Sequence, residues 1–306
     1  MVRHNTYIKD NDKALTLDKS TLSTDVLNAN WLLVCAALSF AAVMIGAFPM
    51  DRTGFQVARF VFAPGALLRL WDGLTLLTVF LPLLLFWAAH GVARGYGAKY
   101  VGILALVGIQ CAACWCATAN PYTPLETCNF IHPVLAMLAG AMTFWMALTL
   151  LRRDGALVMR PVDSTPSLRT HGRVALALAG LLAALAAFRP VPNAVLNDAG
   201  WMNPDQWAEH PTVTNLLANP AMAQIIRHTP MLAVCAIVLG FAWRAQSPTL
   251  ATAIVIQLGL GVLTVVSGAT LPLAILYQAG ALVTLAALLY ELHRVLLGAG
   301  ATTPAP

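Results

Sequence analysis

Apolar runs recur along the whole chain, near 30–49, 66–91, 99–118, 130–151, 173–189, 220–243, 249–268 and 271–292, with polar or proline-bearing breaks between them. Each has about the 20 residues that a helix needs to cross the hydrocarbon core of a bilayer. In hydrocarbon every backbone N–H and C=O must find a partner inside its own segment, so runs of this kind are helices. Composition removes the alternative of a water-soluble helical domain. Hydrophobic residues make up 59% of the chain and charged residues only 10%, against about 25% charged in a soluble globular protein. The expected fold is an all-α integral membrane protein with eight transmembrane helices.

Charge sets the orientation. A net +5 is no footprint of nucleic-acid binding here, because Lys and Arg in a membrane protein mark the cytoplasmic loops. With eight spans the termini share a side. Placing that side in the cytoplasm puts Arg3, Lys9, Lys13, Lys19, Arg94, Lys99, Arg152, Arg153, Arg160, Arg169, Arg173, Arg244 and Arg294 inside, and leaves Arg52, Arg59 and Arg189 outside. Both termini are then cytoplasmic, and the expected location is a bacterial inner (plasma) membrane. Residues 1–28 lack the apolar core of a signal peptide and read as a cytoplasmic tail. Outer loops at 50–65 and 190–219 are long, and the second, with Trp201, Pro204, Trp207 and Pro211, suits interfacial segments.

The stretch 152–172, with Arg152-Arg153-Asp154-Gly155 and Pro161 to Pro166, separates a first half at 29–151 from a second at 173–295, and 296–306 forms a tail. Four spans in each half make this a parallel repeat, since an even number restores the same orientation. The repeat is visible in the residues. Val107-Gly108-Ile109-Gln110 leads through a break at Asn120-Pro121-Tyr122 to Asn129-Phe130-Ile131-His132. In the second half Gln257 leads through Ser267-Gly268-Ala269 to Tyr277-Gln278 at nearly the same spacing. The equivalent polar position is His132 in one copy and Tyr277 in the other.

Ionisable groups inside a bilayer are costly and by default point to function. Here they are Arg69, Asp72, His132, Arg227, His228 and Glu291, joined by Tyr277. Most fall into two sets by repeat. The Leu68–Asp72 region faces His132, and Arg227 and His228 face Tyr277, each near the outer ends of the second and fourth spans of its half. Two pockets between helices are how bundles hold flat cofactors. A neutral imidazole can ligate haem iron, so His132 and His228 are the metal-ligand candidates. Tyr277 could ligate ferric iron as a phenolate. Arg69 and Arg227 stay protonated and could fork onto a propionate.

Plainer readings compete with each of these. A lone intramembrane His often only bonds neighbouring helices. Arg69 and Asp72 are three apart and read as a local ion pair. Glu291 lies near Arg294, while His90, His171 and His293 sit at the cytoplasmic ends as solvated surface residues. Cys111 and Cys114 lie one turn apart on an apolar face and suit packing. Cys116 and Cys128, near the oxidising face, could close a loop as a disulfide.

Three further passages carry a family pattern. Asn219-Pro220-Ala221-Met222-Ala223-Gln224-Ile225-Ile226 precedes Arg227-His228. Leu271-Pro272-Leu273-Ala274-Ile275-Leu276 precedes Tyr277-Gln278-Ala279-Gly280-Ala281, and His132 opens the fourth span. From about residue 30 the chain resembles the haem A synthase family, membrane enzymes that convert haem O to haem A for cytochrome oxidase. That family has a His-Arg pair where Arg227-His228 stands, a His where Tyr277 stands, and a Glu and a His where Gly65 and Leu68 precede Arg69. Only His132 falls on a ligand position unchanged.

The resemblance implies a first-half pocket for the substrate haem O, facing His132, and a second-half pocket for haem b, held by His228 or Tyr277. It also implies oxidation of a haem O methyl to a formyl group through a hydroxylated intermediate, with the catalytic groups unassigned. Implied partners are membrane lipid, haem O synthase or cytochrome oxidase subunits, and a second copy in a homo-oligomer. The alternative is a catalytically degenerate relative serving as an accessory or assembly subunit of a haem–copper oxidase. A transporter would also use parallel repeats.

Overall fold

A computed structural model describes residues 6–46, 64–89, 91–93, 95–119, 125–160, 162, 165–187, 220–267 and 271–298. Among these there are eight α-helices and no strand. They are α1 (Thr6–Gly46), α2 (Pro64–Ala88), α3 (Gly97–Ala119), α4 (Leu125–Arg153), α5 (Pro166–Ala187), α6 (Pro220–Arg244), α7 (Pro248–Val266) and α8 (Leu271–Gly298). The loops expected at 50–65 and 190–219 fall almost wholly outside the described residues, as do the side chains of Cys114, Cys116 and Cys128.

Local chemistry explains where the helices start and stop. Proline opens α2, α5, α6 and α7, at the one helical position where its missing N–H and fixed φ cost nothing. Ahead of two of these prolines sits a capping hydroxyl. Thr165 Oγ1 accepts the Leu168 N–H at 3.2 Å and Ser247 Oγ the Leu250 N–H at 3.2 Å, each satisfying a donor with no partner in the helix. Gly155 (φ 77°) and Gln246 (φ 51°) take left-handed conformations just beyond α4 and α6, where such a residue terminates a helix.

Among the described residues, four helices contain stretches long and apolar enough to cross a membrane: Thr24–Ile45, Arg69–Ala88, Ile131–Arg153 and Pro272–Leu296. Shorter apolar stretches occupy Gly97–Ala113, Thr229–Arg244 and Pro248–Thr264. The first helix differs most from the hydropathy reading, because it continues back through polar sequence to Thr6. No glycine or proline precedes Gly46, so nothing stops the helix where the apolar run begins. Asp25 and Asn28, in this polar approach, are buried. Asn28 donates to the Gly91 carbonyl at 2.8 Å and accepts from Tyr100 Oη at 2.9 Å, while Arg153 Nε pairs with Asp25 at 3.0 Å.

The chain divides into two compact units, Met1–Arg160 and Pro161–Pro306. In the first, α1 packs on α2 and α4, and α3 lies between α2 and α4, closing a four-helix ring. In the second, α5 packs on α6 and α8, and α7 lies between α6 and α8. The consecutive order closes in the same way. Trp31 anchors the first core, edge-on to Phe86 at 5.4 Å and to Tyr100 at 5.3 Å, with its indole N–H on the Thr78 carbonyl at 2.8 Å.

The most extensive helix pair is α1 with α4. Small buried side chains recur on both: Ala29, Ala36, Ser39 and Ala42 on one, Ala136, Ala139, Thr143 and Ala147 on the other. In a membrane such residues let helix backbones approach, which replaces the missing hydrophobic drive. Gly140 marks the tightest point, because a Cβ there would lie 2.7 Å from the Phe40 ring. Gly140→Val is therefore expected to cost about 1–3 kcal/mol through overpacking, and Phe40→Ala in the same chain to recover part of it. Thermal unfolding in detergent reads both, and equal melting temperatures for wild type and Gly140→Val would contradict the seam. Gly172 plays the corresponding part in the second unit, under Phe241 and Leu292.

Candidate functional site

Three helices of the first unit each send one polar side chain to a common point. Asp72 comes from α2, Gln110 from α3 and His132 from α4, and all three are buried, with His132 only 1% exposed. His132 Nε2 lies 2.8 Å from Asp72 Oδ1. The Gln110 amide nitrogen donates to the same oxygen at 3.1 Å and sits 3.2 Å from His132 Nε2. Three atoms of this cluster are buried without a hydrogen-bond partner: Asp72 Oδ2, Gln110 Oε1 and His132 Nδ1. A buried polar group ordinarily has one, so each such atom calls for a physical reason. Cys111 Sγ donates to the Asp72 carbonyl at 3.4 Å and closes the backbone side.

This changes the role of Asp72. The sequence spacing pairs it with Arg69 on its own helix, yet its Oδ1 is taken by side chains from two other helices. Arg69, one turn earlier, is exposed. A carboxylate inside a span is costly unless paired; the sequence sets the Leu68–Asp72 region opposite His132, and the structure brings Asp72 and His132 together. Gln110 was visible through its recurrence as Gln257.

In the second unit the corresponding residues make different bonds. Gln257 donates to the Tyr277 backbone carbonyl at 3.1 Å, and its side-chain oxygen presses against Gly280, where a Cβ would collide with it. The Tyr277 ring packs across Gly261, and its hydroxyl donates to the Met231 thioether at 3.0 Å. Sequence reading had not singled out Met231. Arg227 and His228 lie on α6, but their side chains are outside the described residues.

At the far ends of the helices two expectations separate. Glu291 does pair with Arg294, at 2.7 Å, and also accepts from Ser247 Oγ at 2.7 Å. His293 is not a solvated surface residue. It is only 1% exposed, because α8 runs on to Gly298 and keeps this position inside the packed part of the helix. His171 is half-buried, with Nε2 3.0 Å from the Ile237 carbonyl and Nδ1 3.2 Å from Arg244.

Imidazole binds iron through a nitrogen lone pair. His132 is the imidazole described in the first unit, with its Nδ1 unpartnered, and Leu68 has no donor atom. The first unit therefore fits ligation from one imidazole, not from two. In the second unit a phenol that donates to a thioether is protonated, which does not suit a phenolate ligand. The His228 imidazole, the other donor expected there, lies outside the described side chains. Among the described residues no group of three or more His, Cys, Asp and Glu side chains is arranged to hold a metal ion.

The sequence matches the COX15-CtaA family model, described as cytochrome oxidase assembly protein, over residues 57–289. It is similar to the haem A synthase of Rhodospirillum centenum, 27% identical over 329 aligned positions that cover 87% of each chain. The haem A synthase of Rhizorhabdus wittichii is 28% identical over 230 positions, 68% of this chain and 64% of that one. That of Granulibacter bethesdensis is 28% identical over 259 positions, 76% of this chain and 66% of that one.

Proposed function

The chain belongs to the COX15-CtaA family of cytochrome oxidase assembly proteins, and on that premise we propose that it is a haem-A-synthase-like protein of the bacterial inner membrane that oxidises a haem O methyl to a formyl group. We place its eight helices across the membrane as two parallel four-helix repeats with both termini cytoplasmic. The matching closure of the two helix rings and the distribution of Lys and Arg support this layout.

The observation that carries the functional reading is the buried His132 with its unpartnered Nδ1, at the centre of a cluster drawn from three helices. An intramembrane imidazole held this way would suit holding the iron of a substrate haem. Taking a methyl to a formyl removes four electrons in all, and with water as the oxygen source it releases four protons. An electron acceptor outside the chain completes the balance. His132 would hold the substrate, with Asp72 bonded behind it. Arg69, exposed on α2, is the proposed partner of a propionate. Haem O synthase and cytochrome oxidase subunits are the proposed supplier and recipient.

A second reading has its own observation. Leu68 and the Tyr277–Met231 hydrogen bond take two ligand positions out of haem chemistry, as an accessory subunit of a haem–copper oxidase would tolerate. Oxidised and dithionite-reduced absorption spectra of the full chain, purified from cells making haem O, separate the two. The synthase reading expects a haem that His132→Ala removes and whose pyridine extract contains haem O or haem A. A well-folded preparation without haem, from haem-supplied cells, would leave the accessory reading.

A further inference from the structure

Hydrogen bonding around His132 engages one ring nitrogen and leaves the other bare. We propose that Asp72 is a positioning residue: its carboxylate holds His132 as the Nε2–H tautomer, so that the Nδ1 lone pair, not Nε2, faces the ligand of the first unit. Nothing in the local sequence of α2 or α4 shows this, because the pair forms across the bundle.

Two nitrogens crowd one oxygen, and that decides the proton positions. A separation of 2.8 Å between Nε2 and Oδ1 needs a proton between them. The Gln110 amide nitrogen can only donate; it lies 3.1 Å from Oδ1 and 3.2 Å from His132 Nε2, and the charged carboxylate oxygen is the stronger acceptor of the two. An oxygen that receives two donors is behaving as a carboxylate, so the remaining proton resides on Nε2. The reverse arrangement, with a carboxylic acid donating to Nε2, would put the ring proton on Nδ1, which has no acceptor. A buried N–H without an acceptor is a rarer defect than a buried acceptor left unfilled. With Nε2–H, all three unpartnered atoms of the cluster are acceptors.

A metal-ligating histidine almost always donates its other ring N–H to a carboxylate or carbonyl, which fixes the tautomer and makes the ligand more basic. Asp72 supplies that carboxylate from a different helix, so the placing of α2 against α4 sets the direction of the free lone pair. The identity of the ligand as haem rests on the function proposed above, whereas the tautomer does not.

The test begins on the haem-free full chain in detergent with 15N-labelled histidine, His132 being assigned by the signal lost in His132→Gln. Long-range proton–nitrogen correlations are expected to show a protonated Nε2 and a bare Nδ1 in the wild type. Asp72→Asn, which can donate as well as accept, is expected to mix the tautomers. Ferric protoporphyrin IX is then titrated in, and Asp72→Asn is expected to weaken its binding by about 10- to 100-fold.

A wild type protonated on Nδ1 overturns the proposal, and that reading needs no variant to fold. An Nε2–H tautomer indifferent to Asp72→Asn overturns it too. If the tautomer depends on Asp72 while porphyrin binding is unchanged in His132→Gln, the positioning role stands and the haem reading falls instead.

Discussion

On the proposed function, His132→Leu is expected to abolish formation of haem A from haem O, and it is also expected to destabilise the first unit by roughly 3–5 kcal/mol. Activity is lost because the unit has no second described imidazole. Stability is lost because the substitution removes the closest partner of Asp72, a side chain only 4% exposed, and leaves its carboxylate with Gln110 alone. The two losses can be separated. Asp72→Leu combined with His132→Leu removes the pair together, and well-packed apolar replacements of a buried pair are often neutral. The double variant is expected to unfold close to wild type and still to make no haem A. Unfolding in lipid bicelles and chromatography of extracted haem read these outcomes. A single variant as stable as wild type would show that the pair is not coupled, and a double variant that makes haem A would remove His132 from the reaction.

Arg294→Met is the second large effect, and it should act on the second unit alone. The guanidinium donates through Nε to Glu291 at 2.7 Å and through Nη2 to the Ala245 carbonyl at 2.7 Å, at the corner where α6 ends and α7 begins. Glu291 is 5% exposed and otherwise has only the Ser247 hydroxyl, which also caps α7. Removing the arginine leaves a buried carboxylate and an uncovered helix-end carbonyl, at a cost of about 3–5 kcal/mol. Glu291→Gln in the same chain is expected to restore part of this, because a neutral amide costs less to bury. Hydrogen exchange resolved by peptide should show faster exchange in α7 and α8 and little change in α1–α4. Uniform loss of protection across both units would contradict the assignment.

The helices were legible where their causes are local. Hydropathy outlines the apolar body of all eight, and the prolines at 64, 166, 220 and 248 mark starts that the apolar runs alone place only approximately. Hydropathy misses the polar approach of α1, because a helix needs no apolar face where nothing stops it. The site was half legible. Gln110 and His132 stand out through their repeat partners Gln257 and Tyr277. That the Leu68–Asp72 region faces His132 was legible as well; that Asp72 Oδ1 receives both His132 and Gln110 was not, because side-chain partners between helices leave no spacing in a sequence. Met231 looks like any apolar residue until the Tyr277 hydroxyl is seen to reach it. His293 shows the reverse error: a polar residue near the end of an apolar run looks exposed, and the continuing helix buries it.

The pairing of α1 with α4 also has a consequence in time. Ribosomes deliver α1 first, yet its principal partner cannot exist until residues 125–153 have been made. At roughly 5–20 residues per second that is a wait on the order of ten seconds. Through that interval Asp25, buried in the finished bundle and paired there with Arg153 of α4, has no final partner. The first helix of this protein must therefore be sheltered by the insertion machinery, or lie shallow with its polar approach in the headgroups, until the fourth arrives and the ring can close.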